Sequence, residues 1–338
     1  MKILIDVPPA QPGFDRLKEL GGFQVDCLEP DPDEQGPRPA DPARIRDADV
    51  VFCSFPPANL DDMRSLKWIQ LASSGYSQLF GLDLPGRGIV ATNCRGCIDT
   101  PIAEWNIAMM VNLVRDLPRM LRNQAAAIWE RPAVFQREIR GLTVGLWGYG
   151  GIARETARLA RVMGMRVHVL TRTGITPRQN CYSVPGTGDP EGTLPHRVFR
   201  AGQEMDFLSE LDFLIVCLPL TRVTEGFIGE RELRALPQRA FLLNPARGPI
   251  IREQALIRAL KEQWFSGAAL DTHYQYPLPT DHPLWKMPNV ILTPHISGSS
   301  LSRSFFHNLD DMFLQNVNRF VGGEPLLNQL TPAQLAGE

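Results

Sequence analysis

The sequence predicts an α/β protein of two doubly wound parallel-sheet domains, one inserted in the other. Three observations carry that expectation. Short apolar runs bounded by Gly, Pro or Asp alternate with helix-like stretches, which is how strands buried on both faces read. The alternation comes in two series, separated by a long helical stretch that begins at Thr100-Pro101. A chain of 338 residues also exceeds what one ordinary core serves.

In the first series, Lys2–Asp6, Gln24–Leu28, Asp49–Cys53, Leu66–Leu71 and Gly88–Thr92 are the expected strands, with Phe14–Leu20 and Leu60–Met63 helical. Pro30, Pro32, Gly36, Pro37, Pro39 and Pro42 punctuate the chain densely and mark a loop. At Thr100-Pro101 an N-cap residue and a first-turn proline open a helix, with Glu104 following in its acid-favoured beginning. Ile102, Trp105, Ala108, Met109 and Leu113 keep its helical period. The second series has strands at Leu142–Trp147, Arg166–Leu170, Asp212–Cys217, Ala240–Leu243, Gly267–Leu270 and Val290–Thr293. Helices are expected at Ile152–Met163, Glu230–Leu236 and Arg252–Glu262. Alternation of this kind argues for a doubly wound sheet. After Gly298-Ser299-Ser300, an amphipathic helix near Ser302–Phe320 has nowhere to pack except on the first domain. The expected division is therefore 1–99 with 299–338, interrupted by 100–298, with the two long helices as a hinge and the site in the cleft. Gly174–Glu204 stands apart, rich in Pro and Gly and poor in periodicity. A loop of that length inside a domain is usually functional, and it is expected to touch a cofactor or a second subunit rather than substrate.

Composition narrows the function classes. With 43% hydrophobic and 21% charged residues and a net charge of −2, the chain reads as a water-soluble globular protein without the basic stripe of a nucleic-acid binder. No run of about 18 apolar residues offers a membrane span, and the N-terminal Met1–Asp6 is too short for a signal-peptide core. Six scattered cysteines suggest reduced thiols and a cytoplasmic setting.

Directly after the apolar strand Val144–Trp147 comes Gly148-Tyr149-Gly150-Gly151-Ile152-Ala153, opening a helix. This G-x-G-x-x-A pattern gives a tight turn at Gly148 and backbone access to a pyrophosphate at Gly150. Ala153 then lets helix and strand pack closely, while the helix N-terminus attracts phosphates. The second strand should end in an acid for the ribose 2′-hydroxyl, yet here it runs into Thr171-Arg172-Thr173. Hydroxyls and a guanidinium suit a 2′-phosphate that a carboxylate would repel, so NADP(H) is expected over NAD(H), with dual use possible. In an NAD enzyme, Arg172 would instead cover the adenine face.

Three segments at strand ends offer chemistry. Leu242–Gly248 carries Arg247, Gly267–Asp271 ends in Asp271, and Asn289–Gly298 places His295 beyond a third strand. In open α/β sheets ligands bind at the carboxyl ends of strands, so a cation, an acid and an imidazole can converge there. In this order these motifs resemble the D-isomer-specific 2-hydroxyacid dehydrogenase family, which includes the formate, phosphoglycerate and D-lactate dehydrogenases. The resemblance runs from the strand at Leu66 to the last helix and includes Ala103-Glu104, Cys217-Leu218-Pro219-Leu220-Thr221, Pro283-Leu284-Trp285 and Pro288-Asn289-Val290.

The resemblance implies a Rossmann dinucleotide-binding domain inserted in a flavodoxin-like substrate domain, assembled as a homodimer. It implies that Arg247 binds the substrate carboxylate and polarises the carbonyl, and that His295 exchanges a proton with the carbonyl oxygen. Asp271 would face the nicotinamide carboxamide, with Cys94, Pro219 and Ala246 also beside the cofactor. Backbone amides of Ser74-Gly75-Tyr76 would hold the carboxylate. Most of the family has a Glu five residues after Asp271 that pairs with the catalytic His, and formate dehydrogenases have a Gln. Here Tyr276 takes that place, orienting the imidazole by hydrogen bonding without favouring its charged form. A lower-titrating His295 is the consequence expected; in the alternative, Tyr276 points away and Gln275 or His273 serves. Glyoxylate or hydroxypyruvate reduction is the favoured reaction. A dinucleotide-sensing, corepressor-like binding protein is the rival reading, and a dehydrogenase of a larger or non-carboxylate substrate is another. Cys94-Arg95-Gly96-Cys97 is a C-x-x-C, but His168, His196, His273, His282, His295 and His307 form no close cluster with it, so no metal is expected.

Overall fold

The computed structural model describes residues 1–7, 16–17, 19, 21–29 and 36–337. These fall into two compact units. Met1–Ile98, Gln179–Val184 and Ser300–Glu338 make the first, and Asp99–Arg178 with Pro185–Ser299 the second.

The first unit holds a five-stranded parallel sheet made of β1 (Lys2–Asp6), β2 (Gln24–Cys27), β3 (Val50–Cys53), β4 (Trp68–Leu71) and β5 (Val90–Thr92). Its strand order is β2-β1-β3-β4-β5. The period of two is visible in what each residue touches. Ile3, Ile5, Val50, Phe52 and Trp68 enter one apolar cluster, and Leu4, Val51, Ile69 and Leu71 enter the other. The helix Arg303–Gly322 covers the first cluster with Phe305, Leu309, Met312, Phe313 and Val317. Phe313 packs, tilted, against Phe52 at 4.4 Å and Trp68 at 5.5 Å between ring centroids, a fully buried ring worth about 1.5–3 kcal/mol by area alone. Ser302 caps this helix, and Gly323 ends it in the left-handed conformation.

Some expectations need correction. Pro42 does not prolong the loop but opens a short helix, Pro42–Ile45, capped by Asp41, because a missing N–H costs nothing at a first turn. Leu60–Met63 is only a 3₁₀ turn, Leu60–Asp62. Of the helix expected over Phe14–Leu20, Phe14, Asp15, Lys18 and Leu20 lie outside the described residues, as do Pro30 and Pro32.

The second unit is a seven-stranded parallel sheet of β6 (Thr143–Trp147), β7 (Arg166–Thr171), β8 (Arg197–Arg200), β9 (Phe213–Val216), β10 (Phe241–Asn244), β11 (Gly267–Leu270) and β12 (Val290–Leu292). Its order is β12-β11-β10-β9-β6-β7-β8, so the winding reverses between β6 and β9. That switch point is where doubly wound sheets bind ligands. Val144, Leu146, Val167, Phe213 and Ile215 face one cluster, which the helices Asp99–Val114 and Gly151–Val162 help to close. Trp147, Leu170, Leu214, Val216 and Leu242 face the other. The edge strand β8 and the helix Glu204–Ser209 were not legible as elements. In Arg197-Val198-Phe199-Arg200 only Phe199 is buried, which is too little alternation to signal a strand. Among the described residues no helix is long and apolar enough to cross a membrane.

The segment 174–204 is ordered by polar contacts rather than periodicity. Ile175 and Leu194 pack into the second unit's core. Arg154, nearly fully buried, donates to the carbonyls of Thr176 and Asp189. Asp189 in turn accepts from the Tyr149 hydroxyl at 2.6 Å and from the amides of Gly192, Thr193 and Leu194. Its middle, Gln179–Val184, packs in the first unit instead: Tyr182 is 3% exposed and its hydroxyl donates to Asp311 at 3.0 Å. Burial, helped by Asp311, pushes that phenol's pKa far up.

Candidate active site

The glycine turn comes first, because its conformation follows directly from the fold. Gly148 has φ +98, and a Cβ there would lie 2.6 Å from the Cys217 carbonyl at the end of β9. Both facts require glycine. A Cβ on Gly150 would meet nothing within 4 Å, so open space stands at the N-cap of the helix Gly151–Val162, which has no capping side chain. Ala153 is fully buried against the sheet, and Ile152 is half-buried beside it. Uncapped first-turn amides, open space above Gly150 and the positive end of a 12-residue helix fit a dinucleotide pyrophosphate.

β7 runs beside this turn, and the Gly148 amide donates to Leu170. Thr171 accepts from the Gly174 amide at 2.9 Å, while Arg172 and Thr173 stand exposed. Cys217, at the switch point, has its thiol pushed up to about 12 by burial and then by Asp99, so it stays protonated. Pro219, exposed just beyond β9, accepts at its carbonyl from Thr224 at 2.6 Å.

At the carboxyl ends of β10, β11 and β12 the structure gathers Arg247, Asp271, His273, Tyr276 and His295. Asn244, the last residue of β10, shapes the turn by accepting from the Ala246 amide and donating to the Arg247 carbonyl. The Arg247 guanidinium donates to the Ala246 carbonyl at 2.7 Å, and among the described residues no carboxylate pairs with it. Asp271 is fully buried and accepts from the Thr293 hydroxyl, the Ile296 amide, and the Ser297 amide and hydroxyl. Those four donors fill the acceptor positions of one carboxylate. Where a role toward a nicotinamide was expected, Asp271 is found clamping the loop that carries His295. Within that loop His295 is left-handed, φ +58, a conformation that neighbours must hold for a non-glycine residue.

His295 is partly exposed, yet the burial of its ring lowers its pKa, the Arg247 guanidinium lowers it further, and His273 adds to this against the opposing Asp271. Tyr276 requires a correction. Its hydroxyl accepts from the His273 amide at 3.2 Å rather than bonding the imidazole, and its ring stands 5.5 Å from that of His295. His273 Nε2 donates to the Thr293 carbonyl at 2.9 Å, leaving a buried Nδ1 with no partner among the described residues. From its position in the sequence His273 is only a substitute for Tyr276; its place beneath the His295 loop emerges from tertiary packing.

A proton-donating imidazole whose pKa is lowered loses its proton at lower pH. In the proton-donating role expected of His295, reduction would therefore fade as pH rises through a value below the ordinary one for histidine. Tyr276→Glu places a carboxylate beside the ring, favours the imidazolium and moves the falling limb upward. The pH dependence of kcat/KM for both proteins checks this, and an unmoved limb contradicts it.

In the first unit, Ser74, Gly75 and Tyr76 follow β4 in a partly exposed turn. Asn93 holds it through the Ser74 carbonyl, and Ser73 through that of Gly75. Among the described residues no acceptor engages the amides of residues 74–76, which suits an anion. Cys94 is 1% exposed with its thiol on the Ala72 carbonyl, so the cofactor contact expected of it is not available to its side chain as placed. Cys97 is buried against Met312. Among the described residues no group of three His, Cys, Asp or Glu gathers as a metal site.

Comparison with known proteins follows the same lines. Residues 107–297 match the family model "D-isomer specific 2-hydroxyacid dehydrogenase, NAD binding domain". A glyoxylate reductase from Thermofilum pendens is 32% identical over 76% of this chain and 74% of its own. One from Thermococcus gammatolerans is 28% identical over 96% and 93%. The crystal structure of a D-isomer specific 2-hydroxyacid dehydrogenase family protein from Aeromonas salmonicida superposes with a TM-score of 0.76 at 25% identity, covering 98% of both chains.

Proposed function

The chain belongs to the D-isomer specific 2-hydroxyacid dehydrogenase family, and from that premise we propose that it reduces small 2-keto acids such as glyoxylate or hydroxypyruvate, with NADPH favoured over NADH. It is an NAD(P)-dependent oxidoreductase acting on CH–OH, with two parallel-sheet domains of which the second is a Rossmann domain. One observation carries the substrate reading: an Arg247 guanidinium without a carboxylate partner among the described residues, close enough to the exposed His295 imidazole to lower its pKa.

In this reading the substrate carboxylate takes the place of the missing partner, and the planar fork of Arg247 binds it through two oxygens. The arriving negative charge offsets the guanidinium, which removes one of the causes that lower His295. Substrate binding thus raises the imidazole toward its protonated form just where a proton is needed. His295 would then give that proton to the carbonyl oxygen; a nicotinamide carrier held at the glycine turn Gly148–Ala153 would supply the hydride. Together they convert C=O to CH–OH. Asp271 acts on this step by fixing the loop 293–297. Relatives named glyoxylate reductase support a small substrate.

Preference for the phosphorylated carrier rests on Thr171-Arg172-Thr173, where no carboxylate stands. Replacing Arg172 by serine is expected to lower the NADPH-to-NADH ratio of kcat/KM about tenfold, which is 1.4 kcal/mol. Steady-state kinetics with glyoxylate and both carriers checks this. An unchanged ratio, or equal dissociation constants for the two carriers, would overturn the preference. A homodimer also belongs to this reading: Trp129, at 91% exposed, and Val134, at 95%, lie in the second unit with the exposed Leu121 and Ile128, an apolar group that a second copy would cover.

A further inference from the structure

The segment 174–204 stayed outside the functional reading, yet it delivers a cation to the glycine turn. A Cβ added to Gly151 would fall 2.6 Å from the Arg178 guanidinium and 1.7 Å from the Asp99 carboxylate. Both side chains therefore sit on the first residue of the helix Gly151–Val162, and only a glycine there leaves room for them.

The charges in this place do not balance. A helix N-terminus carries partial positive charge, and a guanidinium beside it adds more. Asp99 is the carboxylate that answers, at 3.6 Å, which is too long for a hydrogen bond. Among the described residues no acceptor is hydrogen-bonded to the Arg178 side chain, although only 19% of it is exposed. A largely buried cation with its donors uncommitted, at the positive end of a helix, is a place that gains from an anion.

Arg178 is also held in position. Its amide donates to the Pro190 carbonyl at 2.9 Å. Arg154, from the same helix as Gly151, grips both sides of the segment through the carbonyls of Thr176 and Pro190. Glu155 accepts from the Gly188 amide, and Tyr149 binds Asp189. The segment is thus fastened to the dinucleotide helix by that helix's Arg154 and Glu155 and to the glycine turn by Tyr149.

We propose that Arg178 binds the pyrophosphate of the dinucleotide, with Asp99 as its temporary partner until the phosphates replace it. The assignment rests on the dinucleotide reading above and extends it to a residue outside the glycine fingerprint. It separates two charges of opposite effect: Arg178 draws the phosphates in, and Asp99 opposes them.

Calorimetric titration with ADP, adenosine, NADH and NADPH tests it on the full-length protein. In Arg178→Met the dissociation constants of ADP, NADH and NADPH rise about tenfold or more, and that of adenosine is unchanged. Arg178→Lys keeps the charge and loses less. Asp99→Asn removes the competing carboxylate and tightens ADP severalfold, a gain that damage to the fold would not produce. Unchanged ADP affinity in Arg178→Met overturns the proposal. So does an equal loss for adenosine, which would make the segment a prop for the adenine site, or a loss confined to NADPH, which would assign Arg178 to the 2′-phosphate. If the unaltered protein binds neither carrier, the dinucleotide reading itself fails and this assignment falls with it.

Discussion

Replacing Arg247 by leucine is expected to lower kcat/KM for a small 2-keto acid about a thousandfold, mostly through KM. Truncating one partner of a charge-assisted pair in a partly desolvated site costs about 2–5 kcal/mol, and about 4 kcal/mol corresponds to that factor. Arg247→Lys should recover only part, since a point charge cannot reproduce two parallel donors. A second signature distinguishes this from simple damage. The guanidinium is one of the causes that lower His295, so the residual activity of the leucine variant should persist to higher pH than that of the parent. Kinetics across pH with glyoxylate check both effects, and an unaltered KM would remove Arg247 from the carboxylate site.

Replacing His295 by asparagine should lower kcat by about a hundred- to ten-thousandfold, the range for losing a positioned general acid, while carrier affinity stays unchanged. Asparagine is the better test than alanine because His295 sits at φ +58, a conformation asparagine tolerates. The four hydrogen bonds from Thr293, Ile296 and Ser297 to Asp271 would then hold the loop as before. Retained turnover would show that another group supplies the proton, with His273 beneath the loop the first to examine.

What could be read from residues alone divides along physical lines. Strands buried on both faces announce themselves as apolar runs, and Gly267–Leu270 is a strand over those four residues. The glycine turn was legible because its demands are local: a positive φ at Gly148 and a bare backbone at Gly150 are properties of single residues. Arg247 and His295 were legible as residue types at strand ends, through a resemblance that covers most of the chain. The roles of Asp271 and Tyr276 were not, since which hydrogen bond a side chain makes depends on where the next loop folds. Tyr276 bonds the His273 amide, three residues back, and spacing does not distinguish that partner from an imidazole nineteen residues on. The segment 174–204 was opaque for the same reason. Its order comes from Arg154 and Glu155 meeting backbone groups distant in sequence and from Asp189 accepting from the Tyr149 hydroxyl, and no periodicity records such contacts.

In the proposed reaction hydride passes to C2 of a 2-keto acid held by Arg247 and protonated by His295. Isotope transfer tests this most directly. The protein is incubated with NADPH deuterated at the transferable C4 position and with glyoxylate or hydroxypyruvate, and the product is examined by mass spectrometry, with His295→Asn alongside. The expected product is a 2-hydroxy acid carrying one deuterium at C2, formed far more slowly by the variant. Bound carrier with no deuterated product from any 2-keto acid would contradict it and point to a protein that binds the dinucleotide without reducing a keto acid.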